Sequence, residues 1–543
     1  MKTSFQRFST RRNVPTSAQS VAVSASLSRP KTLAAITALA FFAGGAWAGN
    51  PGSCPAVKDA DFTMTTLASQ TANNLQEPMR MAFDLTPSGT DVYFVEKGGK
   101  VRKYVAATKT VTNIGTIGVN TTGEHGLLGI ALDPGFKTNK RLFLFYGTNQ
   151  NPYQFRLSRF TMTGEQLDMA SEKIMIRISA DAGSWHTGGS IKFDNAGDLW
   201  ITVGDNKSDE GGSPNTNDLR GKILRIHPLE DGTYSIPAGN LFPVGTEKTK
   251  PEIYIMGDRN PYSIGVDPKT GWIVWGEVGP DGYGVTEEFN LATKPGNYGW
   301  PYFAGKNQVI KTGKVPSAPI NNSPLNTGLV NLPPAVTATY AYQQDCAISG
   351  PVYRYDAYAN TAVKMPPHFD GTWFVTDFNN YGTLGQTMDT MSVDANGNPG
   401  KLGRIWPNWK LTRPLEFQVG PDGAFYVVNY AGYFSTISTT AIVRIEYNGT
   451  CRPPVDNSIA IRRPMAPGGA LMDVAGSRIA VRSELPSELK VTDMSGRSVF
   501  SQRTVGQQEF DLAPAVHGRA GLYAVTLATG SSVISRKVLL DGL

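Results

Sequence analysis

Cysteine and histidine are both scarce: the 543 residues include three cysteines and five histidines. Three thiols cannot supply a dense disulfide framework, and no Cys-x-x-Cys-His run offers a site for covalently attached haem. Helical periodicity is scarce as well. Only one long apolar run occurs, Leu33 to Gly45, and it is too short to span a bilayer comfortably. Arg29 and Lys31 precede it and Ala46-Trp47-Ala48 follows it, a small-x-small pattern that predicts an export signal cut after Ala48. The Ser- and Arg-rich tract before Arg29 contains no acid; it is either a long leader or the product of a misplaced start codon. Removing the leader takes six cations with it and leaves 45 Lys plus Arg against 45 Asp plus Glu. A formally neutral mature chain gives no electrostatic reason to expect a nucleic-acid or membrane-surface partner.

Against these absences stands a repeated theme. Met81-Ala82-Phe83-Asp84 leads to Val92-Tyr93-Phe94-Val95, and Leu128 to Asp133 leads to Leu142-Phe143-Leu144-Phe145-Tyr146. The same pattern joins Ser190 to Asp194 with Leu199 to Val203, and Ile264 to Asp267 with Trp272 to Trp275. It recurs at Phe369-Asp370-Gly371 before Trp373-Phe374-Val375, and at Phe417 to Gly423 before Phe425-Tyr426-Val427-Val428. Each unit reads as a short strand, a Gly/Asp/Pro turn and an aromatic, β-branched strand. Six such units predict an all-β fold, a six-bladed β-propeller over 49–451, with a sandwich or mixed β domain as the alternative. First and last strands usually meet in one propeller blade. Pairing of Cys54 with Cys451, leaving Cys346 over, is therefore expected, although spacing alone leaves three unpaired thiols open.

After Cys451 the texture changes. Arg452-Pro453-Pro454 and Arg463 to Gly469 predict a Pro/Gly-rich linker over 452–478. Short alternating strands then predict a small C-terminal β-sandwich over 479–543, with no chemical constellation of its own.

The densest chemistry lies between 257 and 301. Gly257-Asp258-Arg259-Asn260-Pro261, Gly276-Glu277-Val278-Gly279-Pro280, Glu287-Glu288-Phe289-Asn290 and Gly296-Asn297-Tyr298-Gly299-Trp300-Pro301 combine a guanidinium, an amide, Gly-Pro carbonyls and carboxylates. Such a set suits an anionic cofactor beside a hard cation, while turns alone would also use Gly, Asn and Pro.

From about Met79 to Tyr447 the chain resembles the glucose/sorbosone dehydrogenase family of soluble quinoprotein sugar dehydrogenases. The resemblance rests on Gly123-Glu124-His125-Gly126-Leu127-Leu128-Gly129, His186-Thr187-Gly188-Gly189, Leu219 to Ile226, the Arg259-Asn260-Pro261 cluster, Gly279-Pro280, Asn297 to Pro301 and Gly420 to Gly423. It implies pyrroloquinoline quinone (PQQ) and Ca²⁺ as cofactors, with His186 as general base toward a sugar hydroxyl and the calcium as Lewis acid. The resemblance also implies a catalytic role for Arg259 beside His186. It implies Glu124, Arg259, Asn260, Ser349 and Arg413 around the quinone, and Gly279 and Pro280 as carbonyl ligands of the calcium. Glu287 and Glu288 either ligate a second calcium or are solvated loop acids. Asp205, Asp209 and Glu210 read as solvated, His125 and His368 as surface or packing histidines.

The chain also departs from the family. Thr376-Asp377-Phe378-Asn379 lacks the expected late cation, so Lys364, Arg354 or Arg413 substitutes, or the quinone binds weakly or not at all. Trp185 stands where some relatives have an acid. The tail, through Asp493 to Arg497, Gly521-Leu522-Tyr523 and Lys537 to Leu540, resembles the C-terminal sorting domain of type IX export substrates.

The expectation is thus a secreted, cell-surface or periplasmic dehydrogenase without a transmembrane anchor. It would use a small sugar substrate, an external quinone or cytochrome acceptor, and export machinery that reads the C-terminal domain. A calcium-dependent lactonase and a non-catalytic carbohydrate-binding propeller are the competing readings.

Overall fold

The computed structural model describes residues 57–543 except 182, 184, 281–285, 344–345, 380–387, 407–410, 433, 452–469, 476–477, 494–495, 513–520, 530–531 and 541–543. The expected leader, Cys54 and most of the expected linker lie outside the described residues. The chain is all-β; among the described residues the two α-helices, Gln70–Asn73 and Phe136–Asn139, are four residues each.

Strands follow one another as antiparallel meanders. The first sheet contains Pro78–Thr86, Gly89–Glu96, Lys100–Val105 and Thr110–Thr116; the second contains Leu127–Leu132, Arg141–Gly147, Gln154–Thr163 and Gln166–Ser179. Gly188–Phe193, Leu199–Val203, Lys222–Pro228 and Ile253–Met256 make the third, with Gly296–Asn297 added in parallel. The fourth runs Pro261–Val266, Ile273–Glu277, Glu287–Ala292, Tyr340–Tyr342, and the fifth Ala347–Tyr353, Thr372–Asp377, Met388–Ser392, Gly403–Ile405. In the sixth, Pro414–Val419, Phe425–Asn429 and Ala441–Tyr447 are completed by Phe62–Ser69 from the beginning of the described chain, Phe62 opposite Tyr447.

The second strands, such as Leu199–Val203 and Phe425–Asn429, are buried along their whole length. This continuous apolar pattern, rather than alternation, is what a strand covered on both faces requires. The first strand of each sheet packs on the first strand of the next, and Pro414–Val419 returns to Pro78–Thr86, so the contacts close on themselves. Gly129 allows one of these close approaches, because a Cβ there would meet the Gly189 carbonyl oxygen at 2.2 Å.

Polar side chains from these first strands meet inside the closed circuit. Glu416 accepts from Lys192 Nζ at 2.8 Å and from the Met81 N–H at 2.6 Å, and lies 3.8 Å from Arg80 Nε. Arg80 donates to the carbonyls of Met79 and Tyr262 at 2.9 and 2.6 Å, with its guanidinium 4.4 Å from the Tyr262 ring centre. The buried carboxylate compensates cations that would be costly alone.

Cys451 is disulfide-bonded. Cys346 keeps a thiol, which accepts a hydrogen bond from Asn379 Nδ2 at 3.7 Å. The C-terminal strands begin earlier than the sequence reading expects. A strand, Ala470–Ala475, already stands within the expected linker and pairs with Arg478–Asp493. The described strands join in one hydrogen-bonded set of five, built on the long hairpin of Arg478–Asp493 and Ser498–Asp511. The hairpin register shifts between Ser483 and Ser487, and apolar residues from both halves, including Val481 and Val491, share one core.

Candidate active site

The chemistry gathers where first strands begin and second strands end. Antiparallel neighbours place these ends at the same edge of each sheet. His186 precedes Gly188–Phe193, and Asp205 follows Leu199–Val203; Gly188 pairs with Val203, so 186 and 205 fall opposite each other by register. His186 Nδ1 donates to Asp205 Oδ1 at 2.6 Å, which leaves Nε2 as the imidazole's proton acceptor. The other Asp205 oxygen accepts from Trp300 Nε1 at 2.9 Å, and Oδ1 also accepts from the Lys207 N–H at 2.8 Å. Both His186 and Asp205 are buried. His186 has φ +62°, and Gly204 makes room for it, since a Cβ at 204 would sit 2.0 Å from the His186 carbonyl oxygen.

Glu124 holds the same segment from the second sheet. Its Oε2 accepts from the N–H groups of His186 and Thr187 at 2.8 and 3.3 Å, and from Asn260 Nδ2 at 3.4 Å. Asn260 Oδ1 in turn accepts from the Gly188 N–H at 3.0 Å. Arg259 is tied in through its carbonyl, which accepts from the Asp205 N–H at 2.7 Å, and its guanidinium lies 5.8 Å from the Trp300 ring centre while Nη1 donates to the Val278 carbonyl at 3.1 Å. Residues far apart in sequence thus share one hydrogen-bonded block.

Two cavities adjoin this block. The larger is an axial hollow lined by Glu124 and Asn260, by Lys97 and Cys346, and by Tyr262, Ile348, Phe378, Leu415, Tyr430 and Phe434. Its walls are mainly apolar and aromatic. The smaller is lined by Arg259, Glu277, Gly279, Pro280, Glu288 and Trp300 among others. Three buried carboxyls sit in this region. Glu277 Oε1 accepts from the N–H groups of Arg259 and Asn260 at 2.6 and 2.9 Å, but its Oε2 and both oxygens of Asp258 have no hydrogen-bond partner. Burial, reinforced by neighbouring carboxylates, raises the pKa of Asp258 and Glu277 well above the ordinary range. Burial also pushes Glu288 up to about 7.

Among the described residues no three His, Cys, Asp or Glu side chains converge on one metal position. A cation here would therefore need backbone carbonyls as well. Gly279 and Pro280 line the same small cavity as Glu277 and Glu288, and a mixed set of carbonyl and carboxylate oxygens suits calcium. The unpartnered oxygens of Asp258 and Glu277 fit a hard cation in this region.

Several expected roles change. Glu287 and Glu288 are buried strand residues, not solvated loop acids. Glu287 accepts from the Gly279 N–H at 3.0 Å and the Ala347 N–H at 2.9 Å, one on each oxygen, so it braces two sheets. Glu288 accepts from Asn290 Nδ2 at 2.9 Å and from the Gly305 N–H. Ser349 is buried within the fifth sheet, its hydroxyl held by Trp373 Nε1 at 2.9 Å and the Gly350 carbonyl at 3.1 Å, while adjacent Ile348 faces the hollow. Arg413 donates to the Ala431 carbonyl at 3.2 Å and supports the loop beyond it. Arg354 is paired with Asp267 at 2.6 Å, Lys364 Nζ donates to the Tyr358 carbonyl at 3.0 Å, and neither lines the two cavities. Lys97 is the cation that lines the hollow among the described residues.

Asp205 is the residue that sequence reading passes over as a solvated acid. The hairpin register was the signal that could have found it. His125 is a packing histidine: it is buried, and that burial lowers its pKa to about 4.

The aldose sugar dehydrogenase YliI of Escherichia coli is 26% identical over 236 residues, covering 42% of this chain and 60% of YliI. Quinoprotein glucose dehydrogenase B of Acinetobacter calcoaceticus is 28% identical over 232 residues, covering 38% of this chain and 46% of that protein. The chain thus aligns with about half of each of these curated relatives. The crystal structure of an oxidoreductase (glucose dehydrogenase) from Thermus thermophilus shares the fold, with TM-score 0.53, 24% identity, and coverage of 71% of this chain and 99% of that one. The family described as Glucose / Sorbosone dehydrogenase matches residues 75–432, about two thirds of the sequence, and the chain belongs to that family.

Proposed function

We propose that this protein is an exported quinoprotein sugar dehydrogenase, a six-bladed propeller that oxidises the anomeric hydroxyl of an aldose with PQQ and Ca²⁺. The observation that carries the reading is the buried His186–Asp205 pair, bonded through Glu124 and Asn260 to the wall of a mainly apolar hollow. A flat, anionic heterocycle suits aromatic walls with Lys97 and Arg259 nearby, and the oxygen-rich small cavity suits calcium. When bound, the quinone supplies the two-electron acceptor and the calcium the Lewis acid.

The chain's own residues handle the proton. Asp205 fixes the tautomer in which Nδ1 carries hydrogen, so Nε2 can take the proton of the sugar hydroxyl as the carbon is oxidised. Asp205 then stabilises the imidazolium, and Trp300 and the Lys207 N–H hold Asp205 in place. Glu124 fixes the backbone that carries the imidazole. Export through the leader, electron delivery to an external quinone or cytochrome, and recognition of the C-terminal domain by type IX export machinery complete the reading.

The test uses purified mature protein supplied with PQQ and calcium. Sugar-dependent reduction of an artificial dye is expected, and His186→Ala should abolish turnover while cofactor absorbance stays with the protein. Lactone hydrolysis without dye reduction would replace this reading with a lactonase.

A further inference from the structure

Two bulky aromatics meet at the rim of the hollow. Trp185, immediately before His186, and Phe434, in the loop between the second and third strands of the sixth sheet, lie 5.1 Å apart between ring centres at 83°. Both remain open to solvent, at 37% and 41%. Large apolar groups held side by side in water beside a reactive pair mark a surface kept for a ligand.

Both positions are firmly held. Phe434 has φ +48°, a conformation unfavourable for an aromatic residue and typically retained where the surroundings impose it. Its loop is anchored on each side: Tyr430 OH donates to Glu77 Oε1 at 2.7 Å, and Thr436 Oγ1 accepts from the Glu77 N–H at 2.9 Å. Arg413 adds its bond to the Ala431 carbonyl. On the other side, Lys207 Nζ lies 5.7 Å from the Trp185 ring centre, and the Lys207 N–H binds the same Asp205 oxygen as His186. Phe434 lines the hollow together with Glu124, the residue that binds the His186 N–H.

We infer that Trp185 and Phe434 form an aromatic clasp that selects pyranose rings. The ring packs its C–H face on the clasp, and its anomeric carbon is brought to His186. This inference rests on the sugar-dehydrogenase reading for its reaction, but binding to the clasp does not require turnover. A linear polyol has comparable hydroxyls without a rigid C–H face, so it gains little from the aromatic pair.

The experiment compares wild type with Trp185→Ala, Trp185→Phe and Phe434→Ala. Cofactor-free proteins are titrated with D-glucose, D-xylose and sorbitol by calorimetry, and proteins supplied with PQQ and calcium are assayed by dye reduction. Circular dichroism checks that each variant is folded. The clasp predicts that either alanine variant weakens pyranose binding and raises KM about tenfold. It also predicts kcat within about twofold, an unchanged pH profile, and recovery in Trp185→Phe. Sorbitol should bind at least tenfold more weakly than glucose to wild type and be indifferent to the substitutions. Unchanged pyranose affinity and KM in folded alanine variants, equal binding of sorbitol, or no measurable sugar binding by wild type would overturn the clasp. Pyranose binding that depends on Trp185 without dye reduction would support the clasp and overturn the dehydrogenase reading; dye reduction indifferent to both aromatics would do the reverse.

Discussion

Without a cation beside its buried carboxyls, the protein's stability should fall as pH rises through the weakly acidic range. Glu288 is fully buried, and its pKa moves from 4.5 to about 7 chiefly because burial disfavours the charged form. A carboxyl raised in the folded state contributes stability below its unfolded pKa, and that contribution is lost as pH rises toward the folded pKa. The window is therefore about 4.5 to 7. Moving the carboxyl from 4.5 to about 7 corresponds to roughly 3 kcal/mol. Asp258 and Glu277 act in the same direction. Thermal unfolding of chelator-treated protein should therefore give a lower Tm at pH 7.5 than at pH 5, and saturating calcium should restore most of the difference. Asp258→Asn removes a buried carboxyl whose ionisation burial and the neighbouring Glu288 oppose, so it should raise the chelator-treated Tm at pH 7.5 and change little at pH 5. A flat or rising Tm between these pH values without calcium would refute the argument, as would an Asp258→Asn variant less stable than wild type at pH 7.5.

Asp205→Asn places an amide where one carboxylate meets the donors of His186, Lys207 and Trp300; kcat should fall at least about 10²-fold with the fold intact, measured by steady-state dye reduction beside circular dichroism. Glu416→Ala leaves Arg80 and Lys192 without their buried carboxylate and should cost about 3–5 kcal/mol in denaturant unfolding. Cys451→Ser removes the disulfide and should lower stability by about 2–5 kcal/mol under oxidising conditions, with little effect once wild type is reduced.

The repeated hairpins were legible because each carries its own turn and its own aromatic, β-branched strand. The pairing of Phe62–Ser69 with Ala441–Tyr447 follows from closing such a series, and it is present. At the site, Glu124, His186, Arg259 and Asn260 do share one hydrogen-bonded block. What sequence could not provide was the use of each polar atom. Glu287 and Glu288 have the composition of a loop, but pairing with Tyr342 and Ala341 draws them into a sheet where backbone N–H groups claim their oxygens. Ser349 and Ile348 are neighbours on opposite faces of a strand, and the face was fixed only by the register against Val375 and Thr376. Asp205 looks like one of several loop acids until the hairpin sets it opposite His186.

The most direct measurement is dye reduction by C1-deuterated and unlabelled glucose in protein loaded with PQQ and calcium, with and without the imidazole at position 186. Hydride loss from C1 predicts a primary isotope effect in wild type, and an acid–base role for His186 predicts in His186→Ala a rate lowered by several orders of magnitude that rises with pH as hydroxide replaces the missing base. A wild-type rate retained by the alanine variant, or no sugar-dependent reduction at any pH, would contradict it.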